Sequence, residues 1–157
     1  METEQQQVKK RWVPMPPTYF WSAVVLMVGL HFVCPIKQII TGIYRFLGAV
    51  LVVAGGWFNV WADLAFKKFK TTVKPFEQSN SLITSGLFRI TRNPMYVGMV
   101  FTLLGLFVVL GSVTPIVIVP VFIIVVTVRF IIPEERDLER QFGEDFLGYK
   151  RKVRRWL

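Results

Sequence analysis

Four long apolar stretches, separated by shorter polar segments, dominate the pattern of the chain. They cover residues 19–35, 43–66, 95–110 and 115–132. A helix of about 20 apolar residues crosses a hydrocarbon core of about 30 Å, so each stretch is predicted to span a membrane. The last stretch is rich in β-branched residues, but an open strand in lipid would leave backbone groups unpaired. Helix is therefore predicted for all four.

The connection between the last two stretches is Gly111-Ser112-Val113-Thr114, which has no charge and favours a turn. It predicts a tight antiparallel hairpin of these two spans. Beyond the hairpin, apolar residues recur every three or four positions, which is typical of an amphipathic helix. They are Leu138, Phe142, Phe146, Tyr149 and Val153. The prediction is an all-α, polytopic membrane protein with four transmembrane helices and an amphipathic cytoplasmic helix at about 134–153, weakened or bent at Gly143 and Gly148.

The composition supports this interpretation and excludes several classes of protein. Hydrophobic residues make up 53% of the 157 positions, more than in ordinary soluble domains, and one domain over 1–157 is expected. The net charge of +9 comes from cations beside the apolar stretches, which indicates anionic lipid headgroups and not nucleic acid as the partner. One cysteine, Cys34, allows no disulfide framework and no Cys/His metal site. Because no small-residue cleavage site follows the first stretch, it is expected to remain as a helix.

The distribution of positive charge predicts the orientation. Lysines and arginines are concentrated before the first stretch, in the 67–94 segment and after residue 128, whereas the opposite side has only Lys37 and Arg45. By the positive-inside rule, both termini and the 67–94 segment are expected to be cytoplasmic.

The third stretch begins with Arg92-Asn93-Pro94. Proline is favoured in a first helical turn and asparagine is a good N-cap, so the helix is predicted to start here with Asn93 as its cap. Its free N–H groups and dipole would then favour a carboxylate or phosphate at the cytoplasmic end. The alternative is an ordinary capped helix flanked by snorkelling arginines.

Two carboxylates, Glu134 and Glu135, follow the fourth stretch. They are candidates to bind an ammonium or sulfonium group. Alternatively they pair with arginines at the same membrane face or form a solvated helix start. The candidate partners are Arg89, Arg92 and Arg136. The hairpin would bring the pair near Tyr96, which either stacks on a ligand ring or belongs to the interfacial aromatic belt.

Together, the segment 82–98, the Glu134-Glu135 pair and the tail after it resemble the isoprenylcysteine carboxyl methyltransferase family, a relative of the phospholipid N-methyltransferases. The resemblance covers about the C-terminal half of the chain. It implies an integral membrane enzyme that uses S-adenosylmethionine at the cytoplasmic face. It also implies a cofactor pocket made by the last two spans, the loop before them and the tail.

The resemblance assigns cofactor contacts residue by residue. They are Asn80, Ser81, Leu82, Ile83, Phe88, Asn93, Pro94, Met95, Tyr96 and Glu134, with Arg92 and Glu135 as possible supports. It implies that Glu134 meets the ammonium of the cofactor, that the helix start at Asn93 meets its carboxylate, and that Phe88 and Tyr96 enclose the adenine. Phe88 and Asn93 stand where tyrosine and histidine are common in the family. The substrate-orienting arginine of the family falls at Phe130, one residue from Arg129, an offset of about 100° on a helix.

The expected reaction is methyl transfer to a membrane lipid or a prenylated or amphipathic small molecule, with a prenylcysteine carboxylate favoured over an amine or a thiol. Positioning and exclusion of water would do most of the work, and neither a protein nucleophile nor a metal is expected. Two alternatives stay open: a sterol-reductase-like NADPH enzyme, and a non-enzymatic four-span transporter or interaction protein. Asp63 is expected to pair with Lys67, four residues on.

Overall fold

The computed structural model describes residues 15–69 and 81–157. Six α-helices are present in these ranges: α1 (Pro16–Val33), α2 (Arg45–Lys68), α3 (Pro94–Leu110), α4 (Ile118–Val126), α5 (Ile132–Phe142) and α6 (Glu144–Lys152). Short 3₁₀ turns precede α2, α3 and α4. Within the described ranges there is no strand, only two isolated β-bridges. The all-helical prediction is confirmed.

Among the described residues, three helical segments are long and apolar enough to cross a membrane. They are Pro16–Val33, Gly42–Lys68 and Thr114–Phe142. The fourth predicted span, α3, is apolar but has only 17 residues and is about 25 Å long. The structure therefore fits an integral membrane protein, while the predicted number of four spans is not confirmed by helix length.

The closest helix pair is α2 with α3, and glycines make this approach possible. A side chain at Gly55 would place its Cβ 2.5 Å from the carbonyl oxygen of Gly98, and one at Gly48 would place it 2.6 Å from that of Gly105. Gly48 and Gly55 are seven residues apart on α2, and Gly98 and Gly105 are seven residues apart on α3, so the two glycines of each helix lie on one face. Small residues of this kind let membrane helices approach backbone to backbone. The predicted tight hairpin of the third and fourth spans is not confirmed, because the closest packing lies one helix earlier.

At the end of the bundle away from α5 and α6, the connection after α1 and the connection after α3 are joined by hydrogen bonds. Gly111 adopts a left-handed conformation after α3, with φ of 77°. Its carbonyl oxygen accepts hydrogen bonds from the N–H groups of Ile39 (2.8 Å) and Ile40 (3.1 Å). His31 Nδ1 lies 2.8 Å from Ser112 Oγ. These contacts hold the 34–41 and 111–114 segments together.

The core holds α1 against the last long helix. Tyr19 packs edge-on against Phe130 with ring centroids 5.4 Å apart, and Met27, Leu103 and Val126 are fully buried. This packing places the start of α1 beside the start of α3 and the beginning of α5.

The last long helix does not stop at Pro133 but continues into α5. Residues Thr127–Ile131 form a π-helical turn, and α5 follows without a break. A proline lacks an N–H and its ring clashes with the carbonyl four residues earlier, so a wider turn just before it relieves the conflict. The predicted single tail helix at about 134–153 needs correction: its first part belongs to the last span. The predicted break occurs at Gly143, with φ of 52°, whereas Gly148 lies inside α6.

Candidate ligand site at the start of α3

A cavity of about 290 Å³ lies where α1, α3 and α5 meet the 81–93 loop and α6. Nine of the predicted contacts line it: Ser81, Leu82, Ile83, Phe88, Asn93, Pro94, Met95, Tyr96 and Glu134. Arg92 and Glu135 line it as well. Asn80 lies outside the described residues. The structure thus brings the predicted set together around one space, while the role of each residue in binding a cofactor stays a prediction.

Glu134 and Glu135 are neighbours with different environments. Glu134 is half-buried at the cavity, and no described residue forms a hydrogen bond or ion pair with it. Glu135 is buried and lies between two arginines, 3.0 Å from Arg92 Nη2 and 2.6 Å from Arg155 Nη2. The expected ion pair of Glu135 with Arg92 is confirmed. Its second partner, Arg155, was not among the arginines that the sequence suggested. Glu135 therefore joins the loop before α3 to the tail, whereas Glu134 has no charged partner among the described residues.

The tail folds back onto the loop before α3. The backbone N–H of Arg92 donates to the carbonyl of Arg154 (2.9 Å), and Thr91 Oγ1 donates to the carbonyl of Arg155 (3.1 Å). The Tyr149 hydroxyl donates to the carbonyl of Phe88 at 2.6 Å. Burial raises the pKa of Tyr149 to about 12, although the nearby Arg92 acts in the opposite direction. We call these hydrogen bonds, with the Glu135 ion pairs, the loop–tail contact.

Asn93 occupies the N-cap position of α3, as predicted, but its side chain does not cap the helix. The amide Nδ2 donates instead to the carbonyl of Arg155 at 3.0 Å. The side-chain capping prediction is wrong because the tail offers this amide a tertiary partner. The N–H groups of the first turn, at Met95 and Tyr96, are consequently left without a side-chain cap at the cavity wall.

Apolar and aromatic side chains form the remaining walls. Phe88 is buried and packs edge-on against Phe66, with ring centroids 5.7 Å apart. Tyr96 is also buried, so it does not belong to an exposed aromatic belt. The sequence had not assigned several further wall residues to a site: Met15, Pro16, Pro17, Phe66, Met99, Ile131, Leu138, Phe146 and Tyr149. For the tail residues, the three-to-four periodicity after residue 137 was the signal that could have found them.

Arg129 is not part of this cavity. It is exposed on the π turn, whereas its neighbour Phe130 is buried against Tyr19. The one-residue offset from the family pattern thus places the arginine on a different face of the helix. The structure does not bring Arg129 to the other candidate site residues.

The polar residues Asn59, Asp63 and Lys67 of α2 have partners on their own helix. Lys67 Nζ lies 2.6 Å from Asp63 Oδ2, which confirms the predicted pair, and Asn59 Nδ2 donates to the carbonyl of Gly55 at 2.9 Å. None of these three side chains lines the cavity.

The cavity suits a small ligand that carries both charge signs and an apolar ring. A free carboxylate on α5 attracts a cation, and the uncapped start of α3 attracts an anion. The aromatic walls contribute contact area for a planar group. Arg92 also lines the cavity, and its Nε is buried with no hydrogen-bond partner among the described residues, which leaves a further donor for an anionic group.

Comparisons with known proteins identify the family. The model of the phospholipid methyltransferase family, a relative of the isoprenylcysteine carboxyl methyltransferases, matches residues 43–145, more than half of the chain. An uncharacterized protein of Haemophilus influenzae is 40% identical over 63 residues, which is 40% of this chain and 100% of that protein. No solved structure matches the chain. The chain belongs to the phospholipid methyltransferase family.

Proposed function

We propose that the protein is an S-adenosylmethionine-dependent membrane methyltransferase that acts on a lipidic or amphipathic acceptor at the cytoplasmic face. Family membership indicates a membrane methyltransferase. The observation that carries the choice of methyl donor is Glu134, a half-buried carboxylate at a largely apolar cavity with no ion pair among the described residues. Such a group favours a ligand with a cationic end.

The residues of the cavity fit S-adenosylmethionine. The cavity has a volume of about 290 Å³, which is just below the smallest volumes, about 300 Å³, that are usual for small-molecule sites. Glu134 would hold the ammonium group, and the uncapped start of α3 with Arg92 would hold the carboxylate. Phe88 and Tyr96 would enclose the adenine. When bound, S-adenosylmethionine supplies an electrophilic methyl group.

The protein contributes orientation and exclusion of water to such a reaction. A carboxylate, a thiolate or a neutral amine already has the lone pair that accepts a methyl group, so no nucleophilic side chain is required. Residues of the loop–tail contact line the cavity and would help to keep water from a bound ligand. The resemblance to the isoprenylcysteine carboxyl methyltransferases favours a prenylcysteine carboxylate as acceptor, and the matched family favours a phospholipid headgroup.

Four membrane passes with both termini in the cytosol complete the proposal. Lys67, Lys68 and the basic residues of α5 and α6 lie at the end of the bundle that holds the cavity. Within the described ranges, Lys37 and Arg45 are the only lysine and arginine at the opposite end of the bundle, where 34–41 and 111–114 lie. By the positive-inside rule, the cavity end would face the cytosol.

The experiment is ligand binding followed by methyl transfer, both on the full-length protein in detergent. Titration calorimetry with S-adenosylhomocysteine should give one binding site, and NADPH is the control ligand that the reductase alternative requires. Tritiated methyl transfer is then measured into membrane lipids, a prenylcysteine analogue and small thiols. If helical circular dichroism is intact and S-adenosylhomocysteine does not bind, the proposal fails. Stabilisation by NADPH instead would favour the reductase.

A further inference from the structure

A second cavity, of about 460 Å³, lies between α5 and α6 on the other side of Glu135. Four basic side chains line it, Arg136, Arg140, Lys150 and Arg155, together with the acidic Glu135 and Glu139. Glu135 is the only residue that lines both cavities among those described. With four cations against two carboxylates, its wall has a net charge of +2.

Ion pairs neutralise part of this charge but not all of it. Lys150 Nζ lies 3.2 Å from Glu139 Oε2, and Glu135 is shared by Arg155 and the buried Arg92. The one ion pair of Arg140 within 15–69 and 81–157 is an exposed contact with Asp137 at 3.6 Å. Arg136 has no ion pair with any residue in the described ranges. Two arginines one turn apart are therefore available to an anion.

The position of this cavity on the helix indicates where the anion comes from. Ile132 lines it, and one and two turns earlier Val128 and Ile124 expose 57% and 62% of their surface. Arg136 is about 12 Å beyond Val128 along the helix axis. Exposed apolar side chains thus precede the basic cavity on the same helix, an arrangement that is complementary to an acyl chain joined to a phosphate.

We propose that this second cavity binds the headgroup phosphate of an anionic phospholipid, with an acyl chain on the stripe formed by Ile124, Val128 and Ile132. The site is separate from the proposed methyl-donor cavity and does not depend on methyl transfer. Because α5 and α6 both contribute cations, the lipid would join them and hold the tail in its docked position.

The test uses the full-length protein in nanodiscs of phosphatidylcholine, with or without a minor fraction of phosphatidylglycerol. The readouts are the thermal unfolding midpoint and the number of phosphatidylglycerol molecules retained in native mass spectrometry. The variant is Arg136→Gln with Arg140→Gln. The control is the double variant that combines Arg129→Gln with Arg151→Gln, because both arginines are exposed and neither lines this cavity. The control removes the same charge.

Phosphatidylglycerol should raise the midpoint of the wild type and of the control, and the arginine variant should retain it about tenfold more weakly. If both double variants lose retention equally, the attraction is diffuse and the site is refuted. Equal protection by inorganic phosphate in phosphatidylcholine discs would refute the lipid as its source. If the double variant does not fold, Arg136→Gln alone decides by the same comparison, since Arg136 has no ion pair among the described residues.

Discussion

Glu134 and Glu135 follow one another in α5, yet only one of them is paired. Consecutive residues on a helix are rotated by about 100°. Glu135 consequently forms ion pairs with Arg92 and Arg155. Glu134 lines the cavity instead, and no described residue forms an ion pair with it. Removing one partner of such a buried ion pair strongly destabilises a protein, but a carboxylate that is paired in this way is not available to a ligand. The proposed function therefore depends on Glu134.

Replacing Glu134 with glutamine tests this assignment. The change keeps the size of the side chain and removes its charge, so S-adenosylhomocysteine should bind about tenfold to a hundredfold more weakly, the cost of one hydrogen bond to a charged group. Calorimetry on the purified protein gives the affinity. Asp137→Asn is the matched control, because Asp137 is exposed on the same helix and does not line the cavity. Equal affinities for Glu134→Gln and the wild type would contradict the assignment.

Tyr149 gives the loop–tail contact a dependence on alkaline pH. Its pKa is about 12 in the folded protein, against an ordinary value of 10.0, and the main cause is burial. The neutral phenol is the stabilised form, so its contribution is complete below about pH 10 and is lost as the pH rises towards 12. The wild type should therefore lose stability across this window more steeply than Tyr149→Phe.

The measurement for Tyr149 is the unfolding midpoint during an alkaline titration. At neutral pH, Tyr149→Phe should be less stable by about 1 kcal/mol, because the hydrogen bond to the Phe88 carbonyl is lost. Tyr44→Phe is the control, since Tyr44 is exposed. Parallel titration curves for the wild type and Tyr149→Phe would disprove the role of this phenol.

Half of the ten candidate contacts were predictable from local chemistry, whereas Asn80 to Ile83 and Phe88 were implied only by the family resemblance. Asn93 to Tyr96 and Glu134 carry their chemistry in local order, and helix geometry brings them to one membrane face. The contacts of Arg155 with Asn93 and of Tyr149 with Phe88 were not predictable. They join residues that are 62 and 61 positions apart in the chain, and no local rule selects such partners.

At the scale of the elements, glycine determines which helices approach most closely. Gly55 and Gly98 face each other across α2 and α3, and a Cβ at Gly55 would also collide with Thr102 Oγ1. Gly56 is the next residue on the same helix, yet a Cβ there would meet nothing within 4 Å. Two adjacent glycines thus have opposite requirements.

This difference predicts the effect of two alanine substitutions. Gly55→Ala should lower the free energy of unfolding by about 1–3 kcal/mol, because the helices must separate to admit the methyl group. Gly56→Ala should be neutral or stabilising by up to about 1 kcal/mol, because alanine is the better helix former. Thermal or denaturant unfolding in detergent compares the two. A similar loss of stability in both variants would show that the α2–α3 contact is not the cause.

The apolar stretches fixed the existence of the helices but not their partners. Residues 19–33, 43–66, 95–110 and 115–132 all lie in helices or helical turns, since length and polarity are local properties, whereas residues 34 and 35 of the first stretch lie beyond the end of α1. The short connection at 111–114 predicted a tight antiparallel hairpin of the last two spans, whereas the glycines that let two helices approach closely lie on α2 and α3. A tail helix separate from the last span was predicted at about 134–153, but the π turn before Pro133 allows the last helix to continue to residue 142.

On the scale of the whole molecule, one end of the bundle is chemically different from the other. The cavity end combines the start of α3, both glutamates and the basic tail. The opposite end joins 34–41 to 111–114 through backbone hydrogen bonds and the contact between His31 and Ser112. The asymmetry of charge between these ends is what orients a protein in the membrane.

Cysteine labelling tests this orientation with little engineering. Cys34 is the one cysteine of the sequence, and it is exposed at the end of α1, away from the cavity. A membrane-impermeant maleimide should therefore label the native protein from outside intact cells. In the variant that combines Cys34→Ser with Leu157→Cys, the cysteine replaces an exposed residue of the tail. It should be labelled only in inverted vesicles or after lysis. Labelling of that variant in intact cells would place the tail, and with it the candidate site, outside the cytosol.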